Sequence, residues 1–232
     1  KMSKSLGNQI DPNDLIAEYG SDATRYLLLT QYPFGTDGDI QLTRLATKYN
    51  SDLANDLGNL ISRVAKMIIS HFEGKLPAPS DNSAGFAELV AQAEHLPEQV
   101  LMHINNYQIG LAIDEIMNLV RAANKYFDSN APWKSAKAGN MEAAGGVLYA
   151  CSEVIRIVGT LLYPVMPNKS IEILSVFGLC RNALSINTAR TFYYLQPGTE
   201  VKIGPSVFPR KEQATAVADS AVAKKEEVPT DL

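Results

Sequence analysis

The sequence has 232 residues, of which 46% are apolar and 20% are charged, as is typical of a globular chain and unlike a disordered or fibrous one. Its net charge of −4 lacks the strong positive field of a non-specific nucleic-acid binder, so any nucleic-acid contact must be local. Two cysteines exclude a multi-bridge disulfide framework, and no apolar run reaches the roughly 18 residues of a membrane span.

Two short helices are predicted between residues 11 and 29. Asp11 and Pro12 suit the N-cap and first turn of the first helix, and Gly20 marks its end. A second helical stripe follows before breakers begin at Pro33. Residues 1–45 are therefore predicted to form a small linking unit that is too short to own a core.

The strongest helical pattern runs from Thr43 to Phe72. Apolar residues recur every three or four positions without a proline, which predicts a helix of about eight turns that packs in a bundle. The stripe comprises Leu45, Tyr49, Leu53, Leu57, Ile61, Val64 and Ile68.

Four further helical segments are predicted. One begins near Phe86 and is expected to break or kink at Pro97, and the next spans Gln108–Asp128. The segment Glu142–Tyr163 is apolar on most sides, so it should be the buried helix of the set. A short helix over Lys169–Phe177 follows two prolines.

The chain changes character near its C-terminus. Arg190–Leu195 is a β-type run and Val201–Phe208 an extended stretch, so residues 186–210 are predicted to form an arm or short hairpin over the bundle. Residues 211–232 have few large apolar side chains and are predicted to be disordered. The predicted fold is all-α, with a helical bundle over residues 46–185.

The first five residues are Lys1, Met2, Ser3, Lys4 and Ser5. Two lysines three positions apart, among small hydroxyl residues, predict a mobile cationic loop that can close over a polyphosphate. Phosphoryl or adenylyl transfer depends mostly on such charge stabilisation and positioning. A solvated basic terminus is the alternative.

Three residues suit the recognition of unpaired bases. Asn59 and Arg63 lie one turn apart, away from the apolar stripe, and an amide with a guanidinium can read base edges. The alternative is a solvated face on which Arg63 pairs with Asp56 or merely shields the helix. Trp133 follows a proline-marked corner and has lysines beside it, so it is either a stacking platform or a core residue.

The remaining acidic and cysteine residues that we considered are predicted to have structural roles. Asp37 and Asp39 are predicted to cap a loop, because no third metal ligand lies nearby in the sequence. No metal site is predicted. Cys151 and Cys180 are predicted to be buried thiols.

Longer segments that contain or adjoin these motifs resemble a known family. KMSKSLGN resembles the signature loop of class I aminoacyl-tRNA synthetases, and DPNDLIAEYGSDATRYLLL, YNSDLANDLGNLISR and NAPWKSAK are similar to methionyl-tRNA synthetases of the compact bacterial and mitochondrial type. The resemblance covers about residues 1–210. It implies a stem-contact fold before an anticodon-binding bundle, in which Asn59 and Arg63 read a CAU anticodon and Trp133 stacks on its first base.

The resemblance also implies an activity, methionine-tRNA ligation: ATP, methionine and tRNA(Met) give methionyl-tRNA, AMP and diphosphate. Lys1 and Lys4 would close over the phosphates of ATP, with Mg present, in the intact enzyme. The other class I signature, His-x-Gly-His, is missing from these residues, and so is a Gly-rich strand-to-helix turn. The chain is therefore expected to lack the catalytic Rossmann domain, to bind no cofactor and to be inactive by itself.

The expected partner is tRNA(Met), while ATP and methionine would bind only with the missing catalytic domain. We expect a monomer without membrane contact, in the cytoplasm or the mitochondrial matrix. Three alternatives stay open: a helical protein-interaction bundle without RNA binding, the anticodon domain of another class Ia synthetase, and a chain that is itself catalytic.

Overall fold

Helices dominate residues 10–32, 35 and 40–212, which this computed structural model describes. In chain order they are α1 (Pro12–Tyr19), α2 (Ser21–Leu29), α3 (Leu42–Lys48), a π-helix (Tyr49–Gly58), α4 (Asn59–His71), α5 (Phe86–Asn105), α6 (Ile109–Asn130), α7 (Pro132–Lys137), α8 (Met141–Leu162), α9 (Pro167–Ser175), a 3-10 turn (Arg181–Ala183) and α10 (Ile186–Ala189). Within those ranges the β-type pairing is one isolated bridge, Lys75 to Glu200. The all-α prediction is confirmed.

Helices α1 and α2 form the predicted pair. The Asp11 side chain accepts a 2.8 Å hydrogen bond from the Asn13 amide, which caps α1. Gly20 ends α1 with φ at +78°, where a side chain would be strained, and its amide donates to the Ile16 carbonyl. Both boundaries agree with the sequence signals.

Polar contacts fasten this pair to the bundle. The Tyr26 hydroxyl donates to the Asp52 carboxylate at 2.7 Å, and both residues are buried. Asp22 accepts from the Lys169 amide in the first turn of α9, and Arg25 donates to the Pro164 carbonyl, both at 2.7 Å. Helix α2 therefore has a fixed position on the helices that follow it.

The predicted long helix is continuous from Leu42 to His71, but it is not uniformly α-helical. Its middle ten residues adopt the wider π form, which simple apolar periodicity does not reveal. Where the π-helix gives way to α4, the Asn124 side chain of α6 donates to the Asp56 carbonyl at 3.0 Å. This bond joins the two helices immediately before Asn59.

Of the predicted break or kink at Pro97, the break is wrong, since α5 continues through Pro97 to Asn105. Proline removes one backbone hydrogen bond, but neighbouring turns bury apolar residues on α5's inner face. That face comprises Leu89, Ala93, Leu96, Pro97 and Val100. Packing against the bundle therefore outweighs the local helix-breaking tendency.

Helix α8 is the centre of the bundle, as predicted, because every residue from 144 to 162 is buried. By length and composition alone this helix could cross a membrane. Its most apolar 18 residues, however, are completely buried inside the protein. Gly146 permits a close approach of the 76–80 loop: a β-carbon there would lie 2.7 Å from the Ser80 β-carbon.

The arm at 186–210 packs over the bundle, but the β-type reading of 190–195 is wrong, since neither a strand nor a hairpin forms there. A buried ion pair on α8 takes the backbone groups instead. Arg156 donates to the Thr188 and Thr191 carbonyls and, at 2.6 Å, to Glu153, which accepts from the Leu195 amide. A neighbouring strand would need the Thr191 carbonyl and the Leu195 amide for its own hydrogen bonds.

Several sequence predictions lie outside the described residues: the loop Lys1, Met2, Ser3, Lys4 and Ser5, the pair Asp37 and Asp39, and the tail from residue 213. The cysteine prediction is half right. Cys151 is buried, whereas Cys180 is exposed just after α9. Cys180 lies in a turn between helices, where no element of the described chain covers its side chain.

Candidate nucleic-acid interface

Asn59 and Arg63 lie one turn apart at the start of α4, as the sequence indicates. Asn59 is exposed, and its side chain makes no hydrogen bond with any described residue. The Arg63 side chain is 31% exposed and reaches across to α6. The two side chains therefore share an accessible edge of the bundle. The Asn59 amide has no partner among the described residues, whereas the Arg63 guanidinium has a fixed position.

The Arg63 guanidinium is held by charge and by aromatic rings. It donates to the Asp128 carboxylate at 2.6 Å, and its carbon lies 4.5 Å from the Phe127 ring centre and 5.6 Å from that of Trp133. The alternative pairing with Asp56 is wrong. Asp56 instead lies 3.7 Å from Arg121, because the partners come from the neighbouring helix α6 and not from the preceding turn.

The corner between α6 and α7 presents Trp133. Ala131 adopts a left-handed conformation with φ of 42°, and Pro132 occupies the first turn of α7. Trp133 packs on Phe127 with ring centres 5.7 Å apart, yet 39% of it stays exposed. It is therefore not a core residue, and part of its ring remains open for stacking.

Charges of both signs surround this corner. Lys134 and Lys137 on α7 are exposed, and the Asp128 carboxylate on α6 is 57% exposed beside Arg63. Burial also raises the pKa of the Cys151 thiol on α8, which favours its neutral form. The surface thus offers an aromatic face, a planar guanidinium and a free amide, which suits recognition of unpaired bases better than catalysis.

Sequence reasoning missed Phe127 and Asp128. Phe127 is one of the buried apolar residues of α6, and its second role, as a surface that the Arg63 guanidinium contacts, depends on the packing of α4 against α6. Asp128 follows it at an exposed position, 65 residues from its partner. No local spacing signals so distant an ion pair.

Two family models match the chain. One, described as tRNA synthetases class I (M), covers residues 1–65, and the other, described as the anticodon binding domain of methionyl tRNA ligase, covers residues 76–221. The second match includes Phe127, Asp128 and Trp133, and the first includes Asn59 and Arg63.

Known proteins agree with these models. The methionine-tRNA ligase of Caldanaerobacter subterraneus subsp. tengcongensis is 42% identical over 90% of this chain, and that of Clostridium acetobutylicum is 39% identical over 98%. The chain spans 33% and 35% of their lengths, respectively. The crystal structure of Mycobacterium tuberculosis methionyl-tRNA synthetase bound by methionyl-adenylate superposes with a TM-score of 0.85 and 37% identity, over 90% of this chain and 42% of that one.

Proposed function

Because the chain belongs to the methionyl-tRNA synthetase family, we propose that it recognises the CAU anticodon of tRNA(Met) through Asn59, Arg63 and Trp133. One observation carries the proposal: the exposed indole of Trp133 lies beside the Arg63 guanidinium, 5.6 Å from its carbon, at an open edge of the bundle. A stacking plane and a base-edge reader side by side are what an unpaired base requires.

Each residue has a separate part in this recognition. Trp133 stacks on the first anticodon base with the part of its ring that Phe127 leaves open. Asn59 offers both a donor and an acceptor to a base edge. Arg63 supplies planar donors from a position that Asp128 and Phe127 fix before RNA arrives, so little side-chain entropy is lost on binding.

The proposed activity of the whole protein is ligation of methionine to tRNA(Met) with consumption of ATP. Lys1 and Lys4 of the KMSKS loop would stabilise charge on the ATP phosphates, together with Mg, in that reaction. This part of the proposal rests on the sequence, since the loop lies outside the described residues. A cytoplasmic location likewise remains a prediction.

The structure does not favour a protein-interaction bundle that has lost RNA binding. In such a bundle we expected a buried Trp133, with Asn59 and Arg63 tied into intrahelical pairs. Instead Trp133 is exposed, and Arg63 pairs with a different helix.

The test is a binding series with an anticodon stem-loop carrying CAU and three loops that each change one anticodon base. The wild-type chain is expected to bind CAU about 5- to 160-fold more tightly than each changed loop, since each lost bidentate contact costs about 1–3 kcal/mol. Arg63→Ala should reduce that preference, whereas Arg190→Ala, which removes an exposed arginine paired with Glu98 just after α10, should keep it. Equal binding of all four loops by the wild-type chain would refute the proposal.

A further inference from the structure

Polar side chains of α6 contact the helical segment that carries Asn59 and Arg63. Three of them lie three and four positions apart, so they share one face of α6. They are Arg121, Asn124 and Asp128. Asp128 holds the Arg63 guanidinium, whereas the other two reach Asp56, three positions before Asn59. Asn59 therefore lies between two points at which α6 is joined to this segment.

The Asp56 carbonyl links Asn124 to the backbone of Asn59. The side-chain amide of Asn124 donates to this carbonyl at 3.0 Å, and the backbone amide of Asn59 donates to it as well. A carbonyl oxygen has two lone pairs and can accept both bonds. One shared acceptor therefore connects a half-buried side chain of α6 to the backbone that presents Asn59.

This bond lies where the helix changes its form. The π-helix ends at Gly58, and the Asn59 amide donates also to the Ala54 carbonyl, five residues back. Helix α4 begins at Asn59, and an α-helix forms its bonds four residues apart. Since the backbone geometry at such a junction determines the direction in which a side chain leaves the helix, a bond from α6 fixes that direction for Asn59.

The groups that hold Asp56 are themselves held in place. The Asn124 amide donates also to the Val120 carbonyl, one turn back, at 3.1 Å. The Arg121 guanidinium lies 3.7 Å from the Asp56 carboxylate and donates at 2.8 Å to the Asn118 side chain. Both the carbonyl and the carboxylate of Asp56 are therefore fixed by α6 before any RNA binds.

We propose that Asn124 is a positioning residue of the anticodon site, which orients the Asn59 amide through the Asp56 carbonyl. The Asn59 side chain is exposed and has no hydrogen bond with any described residue, so its backbone determines where its amide points. The inference rests on the proposed function, in which Asn59 reads a base edge. Loss of the Asn124 bond should therefore affect the anticodon base that Asn59 reads more than the other two.

The experiment measures the affinity of the full 232-residue chain for the CAU stem-loop and for three loops that each change one anticodon base. Asn59→Ala first identifies the changed loop whose rejection depends most on Asn59. Asn124→Ala should lower the preference for CAU over that same loop about 2- to 12-fold, as expected for the loss of one hydrogen bond. Asn124→Gln keeps the amide donor and should recover part of the preference.

Asn50→Ala is the matched control within the π-helix. The Asn50 side chain donates to the Lys211 carbonyl at 2.8 Å and accepts from the Lys211 amide at 2.9 Å, so it joins the same π-helix to a different segment. This variant also loses an amide that fastens the helix, but the lost bonds lie at the end away from Asn59. It should keep the preference for CAU.

A double variant separates positioning from a general effect on the fold. If Asn124 acts through Asn59, then Asn124→Ala should not lower the preference further in a chain that already carries Asn59→Ala. Asn124→Asp cannot donate as a carboxylate, and it takes the place of Asn124→Ala in both backgrounds if the alanine variant does not fold.

Three results would overturn the positioning role of Asn124: an unchanged preference in Asn124→Ala, a loss spread equally over the three changed loops, or additive losses in the double variant. A preference for CAU that Asn59→Ala leaves unchanged would also overturn it. A wild-type chain without any preference for CAU would instead refute the proposed function, and this inference with it.

Discussion

Arg63 shows how a single side chain acquires a defined position on an exposed surface. The sequence predicts the helix that carries Arg63 and the position of Arg63 away from the apolar stripe. The orientation of its side chain, however, depends on Phe127 and Asp128 of another helix. A charged hydrogen bond at 2.6 Å and a ring face 4.5 Å away leave the guanidinium few alternatives. The position of Arg63 off the apolar stripe was therefore predictable, whereas the contacts that fix its orientation were not.

Trp133→Ala should weaken binding of the CAU stem-loop by about 1–3 kcal/mol, since the variant removes one base-stacking surface. Trp133→Phe should recover part of the loss, because a smaller ring still stacks. Fluorescence anisotropy of a labelled stem-loop measures both. Retention of full affinity by the alanine variant would show that the exposed indole is not used.

Asp128→Asn should raise the affinity for CAU and changed loops alike and lower the ratio between them. The substitution removes a negative charge that repels phosphates and releases the guanidinium it holds at 2.6 Å. The same anisotropy series measures the ratio, with Asp81→Asn on the 74–85 loop as a matched charge control. An unchanged or increased preference for CAU would contradict this role of Asp128.

The two thiols should differ in reactivity. Burial raises the pKa of the Cys151 thiol, whereas Cys180 is exposed. A thiol reagent should therefore modify one cysteine in the native chain and a second only in denaturant. Equal reaction rates at both cysteines under native conditions would contradict the position of Cys151 in α8.

At the scale of elements, apolar periodicity predicted most of the helices, because each buries one stripe against the bundle. It failed where another interaction outweighs local preference. Packing of α5 carries the helix through Pro97, and the Glu153 to Arg156 pair takes the backbone groups of a β-type run. The π-helix also escaped prediction, since a wider turn is compatible with much of the same apolar spacing.

Gly146→Ala tests the close contact between α8 and the 76–80 loop. The new β-carbon would lie 2.7 Å from the Ser80 β-carbon and 3.0 Å from its carbonyl oxygen, so we expect a loss of about 1–3 kcal/mol in the free energy of unfolding. Gly204→Ala is the control, because nothing lies within 4 Å of its β-carbon. Denaturant unfolding compares them, and equal stabilities would show that the loop moves away without cost.

At the scale of the whole molecule, buried polar groups determine how the terminal segments join the bundle. Tyr26 and Asp52 fix the first helices, while Glu153 and Arg156, 0% and 1% exposed, fix the arm. Both sets join residues far apart in sequence, so neither was predictable from local pattern. The long helical segment links the first helices to the edge that carries Asn59 and Arg63.

Glu153→Gln should lower the free energy of unfolding by about 3–5 kcal/mol, because it leaves the Arg156 charge buried without a carboxylate. Glu98→Gln breaks the exposed pair with Arg190 and should cost less than about 1 kcal/mol. Denaturant unfolding measures both variants. Similar losses in the two would contradict the account of the buried pair as the fastening of the arm.

This bundle is proposed to read an anticodon with Trp133 in the site. Because Trp133 is the only tryptophan, its fluorescence reports on that position alone. We would titrate the chain at fixed low salt with the CAU stem-loop and with a loop in which one anticodon base is changed. The account predicts strong quenching by CAU and much weaker binding of the changed loop, whereas equal responses to the two, or none to either, would contradict it.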